Sequence, residues 1–124
     1  MVENKSDLNE NRNYCDSSLN FACKNENISI EIIIYLVENN CDLNFKGQNN
    51  NTPLHNACQN PNISIEIIKY LVENKSDLNS KNFSKQIPID LVLKNTFLQM
   101  KIKEKYGEKY PIKQFLKTFN DFLK

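Results

Sequence analysis

"VENKSDLN" at residues 2–9, "VENNCDLN" at 37–44 and "VENKSDLN" again at 72–79 decide how this chain folds. The copies begin at Val2, Val37 and Val72, so the spacing is 37 − 2 = 35 and 72 − 37 = 35. The rest of the chain falls into the same register. "SSLNFACKN" (17–25) aligns with "TPLHNACQN" (52–60), and more weakly with "IPIDLVLKN" (87–95). "NISIEIIIYL" aligns with "NISIEIIKYL". A period of roughly 20–50 residues marks an array in which one supersecondary unit stacks on its neighbours.

The unit reads as helix, turn, helix, extended loop. Thr52 is a good N-cap, and Pro53 suits the first helical position, where its missing N–H costs nothing. Leu54, Ala57 and Cys58 recur at helical spacing, and the small Ala57 lets a neighbouring helix come close. Pro61 pushes Asn60 out of helical geometry and ends this helix. Ser64 is a second N-cap, Glu66 suits the first turn, and Ile65, Ile67, Ile68, Leu71 and Val72 form a buried stripe. Asn74 is expected to end the helix in the left-handed region. The run Ile32, Ile33, Ile34 has strand propensity. Its copy carries Lys69 in place of Ile34, which favours a helix whose outer face holds Glu31, Ile34, Tyr35 and Glu38 and leaves Ile34 exposed.

The combination "NTPLHNAC…IEIIKYLVEN…DLN" resembles an ankyrin repeat, with its T-P-L-H-x-A signature. The resemblance spans about residues 2–93, in a short, protist-like array. It implies an all-α solenoid of stacked helix-turn-helix units with extended hairpin-like loops. Residues 1–9 are the tail of a partial repeat, 10–44 and 45–79 are full repeats, and 80–106 is a degenerate terminal repeat that caps the array. Residues 107–124 are expected to add an amphipathic helix with Ile112, Phe115, Leu116, Phe119, Phe122 and Leu123 on its apolar stripe. Because the chain begins inside a second helix, the expectation is a fragment of a longer array of marginal stability. Where the family has glycine, this chain has Cys15, Asn50 and Lys85 in the hairpin loops and Lys5, Asn40 and Lys75 after the second helices. A non-glycine residue in the left-handed region costs on the order of 1 kcal/mol.

Composition places the chain among ordinary soluble proteins, with 40% apolar and 25% charged residues and a formal net charge of +1. Asn is the commonest residue, which reads as coding bias. The N-terminus lacks the apolar core of a signal peptide, so the expectation is a cytoplasmic protein with four reduced thiols. Residues 101–124 carry seven Lys against Glu104, Glu108 and Asp121, a local charge of 7 − 3 = +4. That basic segment supports an alternative role as a membrane-surface or nucleic-acid tether.

His55 and Cys58 lie three residues apart and would share a helical face. The register argues for framework. Asn20 and Asp90 replace His55 in the other copies, and Cys23 matches Cys58 as a small core hydrophobe. There is no C-x-x-C pair and no phosphate-binding glycine loop, so no catalytic residue, metal or cofactor is expected. In the resemblance, Thr52, Pro53, Leu54, His55 and Ala57 form the structural motif. The resemblance also implies another protein as partner, bound on the concave face of loop tips and first helices, with the chain a monomer and no small-molecule substrate. The matching variable positions are Arg12, Asn13, Phe21 and Lys24 in the first unit. In the second they are Phe45, Lys46, Gln48, Asn49, Asn51, Asn56, Gln59 and Asn60. Phe21 and Phe45 would be the aromatic anchors, with Asn51, Asn56 and Gln59 facing the partner.

Overall fold

The computed structural model describes residues 5–106, with side chains from Tyr14 to Lys105. Six α-helices and no strand occur among these residues: α1 (Lys5–Lys24), α2 (Ile30–Glu38), α3 (Pro53–Gln59), α4 (Ile65–Glu73), α5 (Pro88–Val92) and α6 (Thr96–Tyr106). A single 3-10 turn, Gln48–Asn50, sits in the loop before α3. First helices stack as α1, α3, α5 and second helices as α2, α4, α6, while each unit packs its own pair together. This is the helical repeat solenoid that the 35-residue period predicts.

The core lies between the two stacks. Leu19, Cys23, Leu54, Ala57, Cys58 and Val92 enter it from the first helices. Ile33, Ile67, Ile68, Leu71, Leu98 and Ile102 enter it from the second. The α3 start follows from its sequence. The Thr52 Oγ1 accepts from the His55 N–H at 3.3 Å, Pro53 occupies the first turn, and Asn60 closes the helix with extended geometry. Residues 30–38 are helical despite their β-branched run, because the face they bury is set by the units they stack on. The exposed isoleucine in α2 is not Ile34, which is half-buried, but Ile32 at 50% exposure. Its equivalent Ile67 is 0% exposed. Among the described residues α4 has α2 on one side and α6 on the other, whereas α2 has only α4.

The N-terminal unit departs from the repeat. The resemblance places Cys15 in a hairpin loop, but α1 runs unbroken through it. No Gly or Pro interrupts residues 5–24, so nothing local stops the helix. Lys5 and Cys15 are therefore helical and not left-handed. The other four glycine-like positions behave as the register predicts: φ is 66° at Asn40, 73° at Lys75, 60° at Asn50 and 62° at Lys85. Asn74 is not the left-handed residue, since its φ is −93°. It caps α4 instead by donating from Nδ2 to the Tyr70 carbonyl at 2.8 Å. Lys75 and Lys85 are exposed and hold a conformation that a Cβ disfavours. Lys75→Gly and Lys85→Gly should each stabilise the fold by about 1 kcal/mol. A urea midpoint that fails to rise for either variant would contradict this.

Two further expectations change. Cys15 on α1 and Cys41 after α2 form a disulfide, with Cα atoms 5.3 Å apart, so the chain holds two free thiols and not four. The free pair, Cys23 and Cys58, is buried. Burial pushes the Cys23 thiol up to about 12 and the Cys58 thiol up as well, which leaves both protonated and inert. The amphipathic helix expected over residues 107–124 lies outside the described residues.

Candidate binding face

His55 anchors the face from behind. It is fully buried. Its Nδ1 accepts from the Thr52 N–H at 3.0 Å, and its Nε2 lies 2.9 Å from the Gln86 carbonyl of the next unit. A nitrogen that accepts leaves the proton on the other one, so Nε2–H donates to Gln86. Both nitrogens are thus committed, and neither is open to a metal or to proton transfer. In the next unit Asp90 does half of this, accepting the Ile87 N–H at 3.0 Å. Burial lowers the pKa of His55 below its ordinary value of 6.5, the hydrogen bonds to Gln86 and Ser80 and the charge of Asp77 acting in opposition. The unfolded chain therefore binds more protons than the folded one below pH 6.5. Stability is complete above that value and declines as pH falls toward the folded pKa. The slope is at most about 1.4 kcal/mol per pH unit, one proton's worth. Urea midpoints between pH 7.5 and 5.5 should show it, and His55→Asn should flatten it. An equal slope in the variant would rule out His55 as its source.

Asparagines do the rest of the tying, and their placement revises the expected site. Asn60 Nδ2 donates to the Cys23 and Asn25 carbonyls at 3.1 and 2.9 Å. One unit later, Asn95 Nδ2 donates to the Cys58 and Asn60 carbonyls at 2.9 and 3.0 Å. The Asn51 Oδ1 accepts from Asn82 Nδ2 at 2.9 Å. Asn56 Nδ2 donates to the Asn20 carbonyl at 3.1 Å and to its Oδ1 at 2.5 Å, and Asn20 Nδ2 donates to the Phe45 carbonyl at 2.8 Å. Asn51, Asn56 and Asn60 are all buried. Contrary to the expected role, they do not offer their surface to a partner: Asn56 and Asn60 donate to backbone carbonyls of the neighbouring unit, and Asn51 accepts from the Asn82 side chain. Sequence reasoning missed Asn20 and Asn95 in this role. The recurrence of Asn25, Asn60 and Asn95 in one register was the available signal, masked by the general abundance of Asn.

What remains exposed forms a smaller face. Phe21 is 68% exposed, with the Lys24 ammonium 5.8 Å from its ring centroid. Lys24 Nζ also reaches Gln48 Oε1 at 3.4 Å. Lys46, Gln48, Asn49 and Gln59 are exposed, and Phe45 is half-buried. Phe21, Phe45, Gly47 and Gln48 border a cleft of about 100 Å³ with Asn20 and Asn56. A shallower cleft of about 280 Å³ continues past Lys24, Asn49 and Gln59. Arg12 and Asn13 are not at a loop tip, since their backbone is part of α1. In the basic C-terminal stretch, Lys101 Nζ donates to the Ile63 carbonyl at 3.1 Å, and Lys105 pairs with Glu66. No helix among the described residues is long and apolar enough to cross a membrane.

The comparisons with known proteins agree with this geometry. A family model of ankyrin repeats, in three copies, matches residues 1–82. No curated protein matches the chain.

Proposed function

The chain belongs to the ankyrin-repeat family, and from that premise we propose that it is a non-enzymatic scaffold or adaptor that binds another protein on the face around Phe21 and Phe45. Ankyrin repeats are in general protein–protein interaction modules. The observation that carries the assignment here is Phe21, a large aromatic side chain held 68% exposed at the edge of a cleft. The surrounding polar groups are otherwise engaged in fixing one unit to the next. Aromatic residues that fill a partner's pocket, or receive its side chain, carry most interface energy. Lys24, Gln48, Asn49 and Gln59 supply the polar rim. His55 and the thiols give no support to an enzymatic reading, because both ring nitrogens are bonded and both free thiols are buried.

The test is an affinity pull-down from source lysate, followed by titration of the recovered protein with the intact chain and with a Phe21→Ala, Phe45→Ala double variant. Two anchors of about 1–2 kcal/mol each predict a loss of at least tenfold. Unchanged affinity for the double variant would remove the face from consideration.

A further inference from the structure

One face of α1 runs beside the loop that follows α2, and four ties join them in order. Cys15 is bonded to Cys41, Asp16 Oδ1 accepts the Asp42 N–H at 2.6 Å, Asn20 Nδ2 donates to the Phe45 carbonyl at 2.8 Å, and Lys24 Nζ reaches Gln48 Oε1 at 3.4 Å. Asp16, Asn20 and Lys24 recur every fourth residue and so share one helical face. These ties hold the two walls of the smaller cleft together, since Phe21 and Lys24 come from α1 while Phe45, Gly47 and Gln48 come from the loop. The next junction is held without a covalent bond. There His55 reaches the Gln86 carbonyl, Asn51 accepts from Asn82, and the Phe83 N–H donates to the Asn49 carbonyl at 3.0 Å. Asn50 and Ser76 occupy the positions that Cys15 and Cys41 hold one unit earlier. At the first junction Asn20 replaces His55 and bonds nearer the start of the loop. Tyr14, the counterpart of Asn49, lies inside α1, where its carbonyl serves the helix. The disulfide thus stands in for a histidine tie and a loop-to-loop bond.

We propose that Cys15 and Cys41 form a redox-controlled clamp on the binding face. This rests on the protein-binding assignment above and supplies its regulation. With the clamp closed, α1 and residues 42–50 present Phe21, Phe45 and Gln48 in one fixed arrangement. With it open, three non-covalent ties remain, the last of them an exposed contact, and the loop separates from α1. A face that must be ordered on binding holds its partner less tightly than a preorganised one. The step is thiol–disulfide exchange with a dithiol. One thiolate of the dithiol attacks Cys15 Sγ, the half-buried member of the pair, and the buried Cys41 leaves as a thiolate that takes up a proton. The second thiolate of the dithiol then attacks the sulfur bonded to Cys15 and releases Cys15, which is protonated in turn. The dithiol ends as a disulfide, having supplied two electrons and two protons. Exchange with an oxidised disulfide closes the clamp by the reverse route.

The full-length, isotope-labelled chain is equilibrated with oxidised glutathione or with dithiothreitol. Alkylation in denaturant counts the free thiols, two with the clamp closed and four with it open. Gly47 and Asn82 are matched reporters, their amides donating across their own loops to the Asn51 and Gln86 carbonyls at 2.9 and 3.0 Å. Under dithiothreitol, hydrogen exchange at Asp42 and Gly47 should quicken about tenfold or more, as loss of a covalent link predicts, while Asn82 stays unchanged. Cys41→Ser, which places the residue that the next unit already has, should show the quick exchange in both buffers. The protein recovered by the pull-down should bind the oxidised chain about tenfold more tightly than the reduced one. Four free thiols in oxidised glutathione, unchanged Gly47 exchange after the bond opens, or an equal quickening at Asn82 would overturn the proposal. The protein-binding assignment fails separately. If reduction loosens residues 42–50 but the Phe21, Phe45 double variant retains its partner, that assignment falls and the clamp remains a property of the loop. If the double variant loses its partner while the reduced chain binds as tightly as the oxidised one, only the clamp falls.

Discussion

Ile67→Ala is expected to destabilise the array by about 3 kcal/mol, while Ile32→Ala, the same change at the same position one unit earlier, should stay within about 0.5 kcal/mol. The contrast follows from packing, since the two residues share a sequence context. Ile67 is 0% exposed, on a helix flanked by α2 and α6. Truncating it removes buried methyl groups and leaves a cavity between units, a change that typically costs 2–5 kcal/mol. Ile32 is 50% exposed. Alanine there loses little burial and gains a few tenths of a kcal/mol in helix propensity. A short array has only roughly 5–15 kcal/mol in total, so Ile67→Ala should shift the urea midpoint severely. Equal costs at the two positions would mean that α2 is covered in solution by something other than the described residues.

Asn95→Ala is expected to cost about 3 kcal/mol, a large effect for a polar side chain. Asn95 is buried and makes three bonds: its Nδ2 donates to the Cys58 and Asn60 carbonyls, and its Oδ1 accepts the Leu98 N–H at 3.1 Å. The last is the N-cap bond of α6. Alanine would leave two carbonyls short of a donor and uncap a helix. Asn95→Asp separates the two functions. Aspartate is a good N-cap with a favourable charge at a helix start, so a purely capping residue would tolerate it. Here it removes both donors and sets a carboxylate against two carbonyl oxygens, so the expected cost at pH 7 is as large as for alanine. Asn25 is the control. It occupies the same register position but is exposed, its Oδ1 accepting only the Asn27 N–H at 2.9 Å. Asn25→Ala should cost less than about 0.5 kcal/mol. A tolerated Asn95→Asp would reduce the role of Asn95 to capping.

The period, the helix pair, the Thr52–Pro53 start and the left-handed Asn40, Asn50, Lys75 and Lys85 were legible because each depends on local chemistry repeated in register. His55 as a tie between units was legible for the same reason. Three features were hidden by neighbourhood effects. The length of α1 depends on there being no breaker between residues 5 and 24, and the register argument, which assumed a loop there, does not test this. The exposure of Ile32 depends on what stands beside α2, not on α2 itself. The burial of Asn51, Asn56 and Asn60 depends on groups in another unit: the Asn82 side-chain amide for Asn51, and backbone carbonyls for Asn56 and Asn60. Variation between copies suggested that Asn51 and Asn56 were free, whereas Asn56 answers to Asn20, which itself varies; Asn60 recurs as Asn25 and Asn95 in the same register. Counting Asn as coding bias concealed the bonds that hold the stack.

The paired donations of Asn60 and Asn95 have a grammar. Each reaches back across 37 and 35 residues to the carbonyls that end the preceding first helix. At both junctions among the described residues, the later unit carries the fastener and the earlier one presents the eyelets. Duplicating or excising one whole 35-residue unit therefore leaves every fastener facing a matching pair of eyelets. A gain or loss of any other length moves an amide off its carbonyls along with the apolar stripe. The bonds that stabilise one molecule thus also dictate which rearrangements of its gene can still fold, and they let such an array lengthen or shorten only in whole units.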